Sequence, residues 1–208
     1  MSTVKATVQR TPKGFITGFV NILKADTKFD AAGVYKFKAK FAKSREIEKL
    51  CQQMEEEAQK AFDAWKKDPK NKGKKPIKMG DLPFFEDDEG NIVISFKSKA
   101  SYVNKEGDTI HRVIPIFGAD AKRIDPEKLK PFGEGSEVRV GFVLNAFANA
   151  AAGASVTLRI DSIQLLKAKE FSGGSGGWEA EEGSEAPEGD DEWSEDKSDG
   201  DSTPEADF

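Results

Sequence analysis

Residues 34–41 alternate with a period of two: Tyr35, Phe37, Ala39 and Phe41 are apolar, while Lys36, Lys38 and Lys40 are cationic. A strand with one buried and one solvated face reads this way, because successive side chains point to opposite sides. The same period recurs in 92–99, where Ile92, Ile94 and Phe96 oppose Val93, Ser95, Lys97 and Lys99. It recurs in 138–144, with Val138, Val140, Phe142 and Leu144 against Arg139, and in 155–165, with Val156, Leu158 and Ile160 against Arg159. Residues 15–23 (FITGFVNIL) are apolar and rich in β-formers, which predicts another strand. A further strand is expected over 110–117, with Pro115 marking an edge or a bulge.

One segment has a helical period instead. Ile47, Leu50, Cys51, Met54, Ala58, Ala61, Phe62 and Trp65 form a single apolar stripe, with Ser44 as N-cap and Pro69 as the stop. The stripe is expected to pack on the sheet, which makes Cys51 a core residue rather than a reactive one. Residues 70–78 (KNKGKKPIK) hold five lysines and read as a basic loop. Five to seven short strands, curved by Gly and Pro and interrupted by one helix, fit a mainly β fold. The oligonucleotide-binding (OB-fold) barrel with one inserted α-helix matches best, and other barrels or sandwiches share the pattern.

Composition then divides the chain. Of 37 acidic and 32 basic residues, 14 acids and one base (Lys197) fall in 172–208, giving that segment −13. The remaining 23 acids and 31 bases give residues 1–171 a net +8. Residues 172–177 (SGGSGG) are a flexible linker by composition. Residues 178–208 have too few aliphatic side chains to offset the entropy of ordering and are expected to form a disordered acidic tail. Three aromatics stand out there: Trp178, Trp193 and Phe208. Phe208 follows Glu205, Ala206 and Asp207, so a ring, a free carboxylate and two acids are grouped within four residues, the makings of a peptide anchor.

Several classes of chemistry are disfavoured. No apolar run approaches the roughly 20 residues of a membrane span, and residues 1–14 lack the apolar core of a secretory signal. A single cysteine leaves no internal disulfide, and a single histidine, His111, leaves no histidine-pair metal site. Asp87-Asp88-Glu89-Gly90 is too short for a calcium loop, and Gly73-Lys74-Lys75 lacks the first glycine and the hydroxyl residue of a P-loop. The expectation is a cytosolic binding protein, without cofactor or catalytic residues.

A basic body suits a polyanion. Single-strand binders combine a cationic groove with rings on which bases stack. The candidate DNA contacts are Tyr35, Lys36, Lys38, Lys40, Lys97, Lys99, Tyr102, Arg112, Arg139, Phe147 and Arg159. Tyr35 and Phe142 lie on apolar faces, where a core role takes precedence. Tyr102 and Phe147, at strand ends beside polar or small residues, are the better stacking candidates.

Taken in order, several blocks resemble the single-stranded DNA-binding proteins of short-tailed, T-odd-type bacteriophages. These are Gly33-Val34-Tyr35-Lys36; the helix with Cys51 and Met54; Lys74-Lys75-Pro76 running into Gly80-Asp81-Leu82-Pro83-Phe84-Phe85; Phe96-Lys97 with Ala100-Ser101-Tyr102; and Gly153-Ala154-Ser155-Val156-Thr157-Leu158. The linker, the acidic tail and Asp207-Phe208 complete the resemblance. It implies an OB-fold barrel that coats single-stranded DNA in phage replication and recombination, inside the infected bacterium. It also implies that the tail, through Trp193, Glu205, Asp207 and Phe208, docks on the replicative DNA polymerase and the helicase-primase, competes with DNA for the groove and contributes to a homodimer. Two other readings stay open on the residues alone: an acidic-tailed, chaperone-like binder of basic proteins, and an RNA-binding barrel.

Overall fold

The structure is a computed structural model and describes residues 7–28 and 30–170. In chain order the strands are β1 (Gln9–Arg10), β2 (Gly14–Asp26) and β3 (Val34–Phe41), followed by the helix α1 (Arg45–Lys67). Then come β4 (Phe84–Glu86), β5 (Ile92–Lys99), β6 (Ser101–Val103), β7 (Thr109–His111), β8 (Ile116–Phe117), β9 (Arg123–Ile124), β10 (Glu137–Asn149) and β11 (Gly153–Lys167).

Five of these strands close on themselves in the order β10-β2-β3-β5-β11, with β11 returning to β10. β5 and β11 run parallel, and every other junction in the ring is antiparallel. That Greek-key closure is the OB-fold barrel. The alternation written in β3 and β5 holds except at Val93. Tyr35, Phe37, Ala39, Phe41, Ile92, Ile94 and Phe96 are buried and the lysines between them point outward, but Val93, expected on the solvated face, is buried where β4 pairs with β5. Phe37 stacks on Phe96 at 5.3 Å between ring centroids, and Phe96 meets Phe142 at 5.8 Å, which ties β3, β5 and β10 across the core. Ring pairs of this kind contribute about 0.5–1.5 kcal/mol beyond the area they bury.

Ser44 caps α1, its Oγ accepting the Ile47 N–H, and the helix ends at Asp68 before Pro69. Ile47, Leu50, Met54 and Ala58 are its buried stripe and join the barrel core, with α1 packed on β10 and β11. Cys51 is half-buried on that stripe, and burial pushes its thiol up to about 11, so little reactive thiolate exists at neutral pH.

β5 and β11 are in ladder register only at Leu158↔Phe96. Residues 78–86 fill the seam where the two strands part. The Ala154 N–H donates to the Lys78 carbonyl and the Gly80 N–H to the Ala154 carbonyl, while the Ser95 N–H donates to the Pro83 carbonyl before β4 pairs with β5. The approach is close enough to require a glycine: a Cβ on Gly153 would lie 2.4 Å from the Lys78 oxygen, and its φ is +77°.

The strand expected over 110–117 is divided. Residues 109–111 pair with β6 in a separate hairpin, whereas Ile116 and Phe117 pair with β11 and β9. Between them the chain is held by single contacts, from the Arg112 N–H to the Ala100 carbonyl and from the Ile163 N–H to the Pro115 carbonyl. Pro115 has no N–H to continue a ladder.

Candidate nucleic-acid interface

The faces that carry an oligonucleotide in an OB barrel are its second and third strands and the loops beside them. Those strands are β3 and β5. Their antiparallel register sets Lys36 opposite Lys97, Lys38 opposite Ser95 and Lys40 opposite Val93; the lysines face outward, while Val93 is buried where β4 pairs with β5. Phe15 and Thr17 of β2 pair with Lys40 and Lys38 and so share that surface.

The loops already neutralise some of these lysines. Asp26 sits 2.6 Å from Lys36, and its carboxyl is held below the ordinary range, first by the Lys36 hydrogen bond and then by the Lys28 N–H. Lys40 bonds Glu89 at 2.8 Å, with Asp87 at 3.9 Å, and the Glu89 contact raises its ammonium pKa. Lys99 lies 3.9 Å from Asp30. Lys97 and Arg159 have no carboxylate partner among the described residues.

Aromatic rings stand around the cations. The Lys38 ammonium lies 5.6 Å from the Phe85 centroid, and the Arg112 guanidinium 5.7 Å from the Tyr102 centroid. Both fall within cation–π range. Phe85 and Tyr102 are about half exposed, and Phe19 is 89% exposed. Phe19 is raised by an irregularity in β2: Thr17 pairs with Lys38 and Asn21 with Lys36, so Gly18, Phe19 and Val20 stand opposite Phe37 alone. Gly18 supplies the left-handed backbone this needs, at φ +68°. Phe19 and Phe85 were not among the sequence candidates. The signal for Phe19 was the glycine that breaks the alternation of β2; for Phe85 it was a ring beside the β4–β5 turn.

Four predicted residues converge. Lys99, Tyr102, Arg112 and Arg159 line one cleft of about 400 Å³. Arg112 is fixed there by donating to Ser98 Oγ at 2.8 Å. Phe147 is half-buried, and the unbroken register from Phe142↔Ile160 to Asn149↔Gly153 puts it on the same side of the β10–β11 hairpin as Arg159. Two candidates are placed elsewhere. Tyr35 is only 9% exposed and donates its hydroxyl to the Arg112 carbonyl at 2.9 Å, so it supports the hairpin bearing Tyr102 rather than offering a ring to a base. Arg139 follows the outward face of β10 but lies before the irregularity at Gly141, in a different cleft with Arg10. His111 is exposed on β7, opposite Ser101.

Residues 13–168 match the family model for the single-stranded DNA-binding protein of bacteriophage T7. The chain belongs to that family. Among T7-type relatives, the single-stranded DNA-binding protein of Escherichia phage T7 is 36% identical over 111 residues, 51% of this chain and 47% of that protein. The protein of the same description from Enterobacteria phage T3 is 32% identical over 133 residues, 62% of this chain and 50% of that protein. The alignments thus span about half the length of each of these relatives. The crystal structure of gp2.5, a single-stranded DNA-binding protein encoded by bacteriophage T7, superposes with a TM-score of 0.72 at 26% identity, covering 87% of this chain and 98% of that one. The single-stranded DNA-binding protein of bacteriophage Enc34, solved with ssDNA, shares the fold at a TM-score of 0.52 and 13% identity, covering 80% of this chain and 89% of that one. No helix among the described residues of this T7-type protein is long and apolar enough to cross a membrane. The linker and the tail, with Trp193, Glu205, Asp207 and Phe208, lie outside the described residues.

Proposed function

We propose that residues 1–171 bind single-stranded DNA, with little sequence preference, along the outer surface of β2, β3 and β5 and into the Lys99–Arg159 cleft. The observation that carries this is the grouping of cations and accessible rings on one surface: Lys36, Lys38, Lys97, Lys99, Arg112 and Arg159 with Phe19, Phe85 and Tyr102. Cations take the phosphates, and rings take bases of any identity, because every base has a π-face. No base-edge discrimination is built into such a surface.

On this reading the protein coats exposed strands during phage DNA replication and recombination in the host cell. Residues 172–177 tether the acidic segment 178–208, which competes for the lysines and recruits the replicative polymerase, the helicase-primase and a second copy of the chain through Trp193, Glu205, Asp207 and Phe208. The test is titration of the full chain with single-stranded DNA, duplex DNA and RNA at several salt concentrations. Tight, salt-sensitive binding of single strands over duplex is the expected result. Equal affinity for duplex, or an affinity indifferent to salt, overturns the proposal; preference for RNA moves the assignment to an RNA-binding barrel.

A further inference from the structure

Arg139 is drawn away from the groove into a second concave site. β1 pairs with β10 at Arg10↔Gly141, and β10 pairs with β11 at Arg139↔Gln164 and Gly141↔Ser162. Arg10, Arg139 and Gly141 therefore share one outward face, around a cleft of about 300 Å³. That volume is at the small end of ligand-sized sites. None of the residues lining this cleft lines the Lys99–Arg159 cleft.

Three features make it more than a dent in the surface. Both arginines are exposed, and neither has a carboxylate partner among the described residues, unlike Lys36 and Lys40 in the groove. The floor is open because Gly141 carries no side chain; a Cβ there would come within 2.5 Å of Ser162 Oγ. The far wall is held in place. Gln164 donates its amide to the Gly118 and Ala119 carbonyls at 3.2 and 3.3 Å, and the Gly118 N–H bonds the Lys122 carbonyl at 2.8 Å. That turn carries Ala121 at φ +61°, and Ala121 is the single non-glycine residue with positive φ among the described residues. Phe117 provides an aromatic wall beside it.

We propose that the Arg10–Arg139 cleft is a second contact for single-stranded DNA, distinct from the groove, taking a phosphate between the two guanidinium groups and a base against Phe117. The proposal rests on the single-strand reading above. An acidic peptide would also satisfy the charge. The fork of a guanidinium fits phosphate oxygens two at a time, and an aromatic wall beside it matches the alternation of phosphate and base along a strand. A strand engaging both sites would be followed around the barrel, and a second strand could be held while the groove is occupied.

The experiment is a titration of the full, isotope-labelled chain with a thymidine trinucleotide, following backbone amide resonances. It is repeated on Arg10→Ser/Arg139→Ser and on the groove variant Lys38→Ser/Lys97→Ser. The expected result is two sets of shifts in the native chain. The set around Gly141, Phe117 and Ala121 should vanish in the arginine variant and persist in the groove variant. With a long oligonucleotide, the arginine variant should lose several-fold in affinity, and its salt slope should fall by about 0.7 for each phosphate contact removed. Shifts confined to the groove overturn the second contact and leave the groove reading intact. A response of the cleft to a glutamate tripeptide but not to the trinucleotide also overturns it and assigns the cleft to a protein ligand. Shifts at neither site would remove the single-strand reading itself.

Discussion

Lys36 and Lys97 face each other directly across the β3–β5 ladder, two like charges at one register position. Such a pair works against the sheet. Asp26 compensates at Lys36, while Lys97 has no carboxylate partner among the described residues. The arrangement costs the folded barrel and favours any polyanion laid across both strands. Lys97→Thr should therefore keep or raise stability, by about 0.2–1 kcal/mol on the usual scale of cross-strand pairs. It should weaken single-stranded DNA binding and lower the salt slope by about 0.7. Thermal melts and salt-dependent titrations of one variant check both, and a loss of stability with unchanged binding contradicts the assignment.

Asp26 should act as a stand-in for phosphate on Lys36. Asp26→Asn frees the ammonium and should raise DNA affinity at neutral pH, most at low salt where screening is weakest. The acid limb gives a second readout. Because the Asp26 carboxyl is depressed below its ordinary value of 3.8, chiefly by Lys36, its stabilisation is complete above that value and is lost as pH falls through the lower folded value. The native chain should thus lose stability more steeply than Asp26→Asn below about pH 4 in acid titrations; parallel curves would show that the pair is not formed in solution.

Phe19→Ala separates binding from folding. The ring is 89% exposed, so melting should change by no more than about 0.5 kcal/mol. Affinity for single strands should fall by about 1–3 kcal/mol if a base stacks there. Phe37→Ala, which removes a buried ring on the inner face of β3, should show the reverse and cost about 3–5 kcal/mol of stability. Phe19→Ala with native affinity returns that residue to a structural role in the β2 irregularity.

Tyr35→Phe tests support of the hairpin. Removing the hydroxyl orphans one bond to the Arg112 carbonyl and should cost about 1 kcal/mol of stability. DNA binding should weaken less than in Tyr102→Ala, which removes an exposed ring outright. Equal effects of the two substitutions would place Tyr35 in direct contact with DNA.

The tail gives a prediction of its own. Ending the chain after Phe171 removes a segment of net −13 from a body of +8 and should raise DNA affinity at low salt. Deleting Phe208 alone should leave DNA binding near native and abolish capture of polymerase or helicase. Unchanged capture would reduce the tail to bulk charge.

The sequence by itself determined the strands that bury one face, because alternation is local: Val34–Phe41 and Ile92–Lys99 have the bounds their pattern predicts. It determined α1, from Ser44 to the stop before Pro69, and the inward or outward sense of every lysine on β3 and β5. It also set the division of charge between body and tail. What it left open depends on register and closure, which join residues far apart in the chain. Tyr35 reads as core and Tyr102 as the freer ring from their neighbours alone, yet only the tertiary fold sets the Tyr35 hydroxyl on the Arg112 carbonyl and the Arg112 guanidinium over the Tyr102 ring. Arg139 and Arg159 both follow the outward alternation, but the register shift at Gly141 and the pairing of β1 with β10 carry Arg139 to a separate cleft. Phe19 lies in an apolar segment that predicts a strand but not which side the ring takes; only the irregular pairing of β2 with β3 turns it to solvent. A period-two pattern specifies which side of a strand a residue occupies, and the three-dimensional closure of the barrel decides what lies on that side.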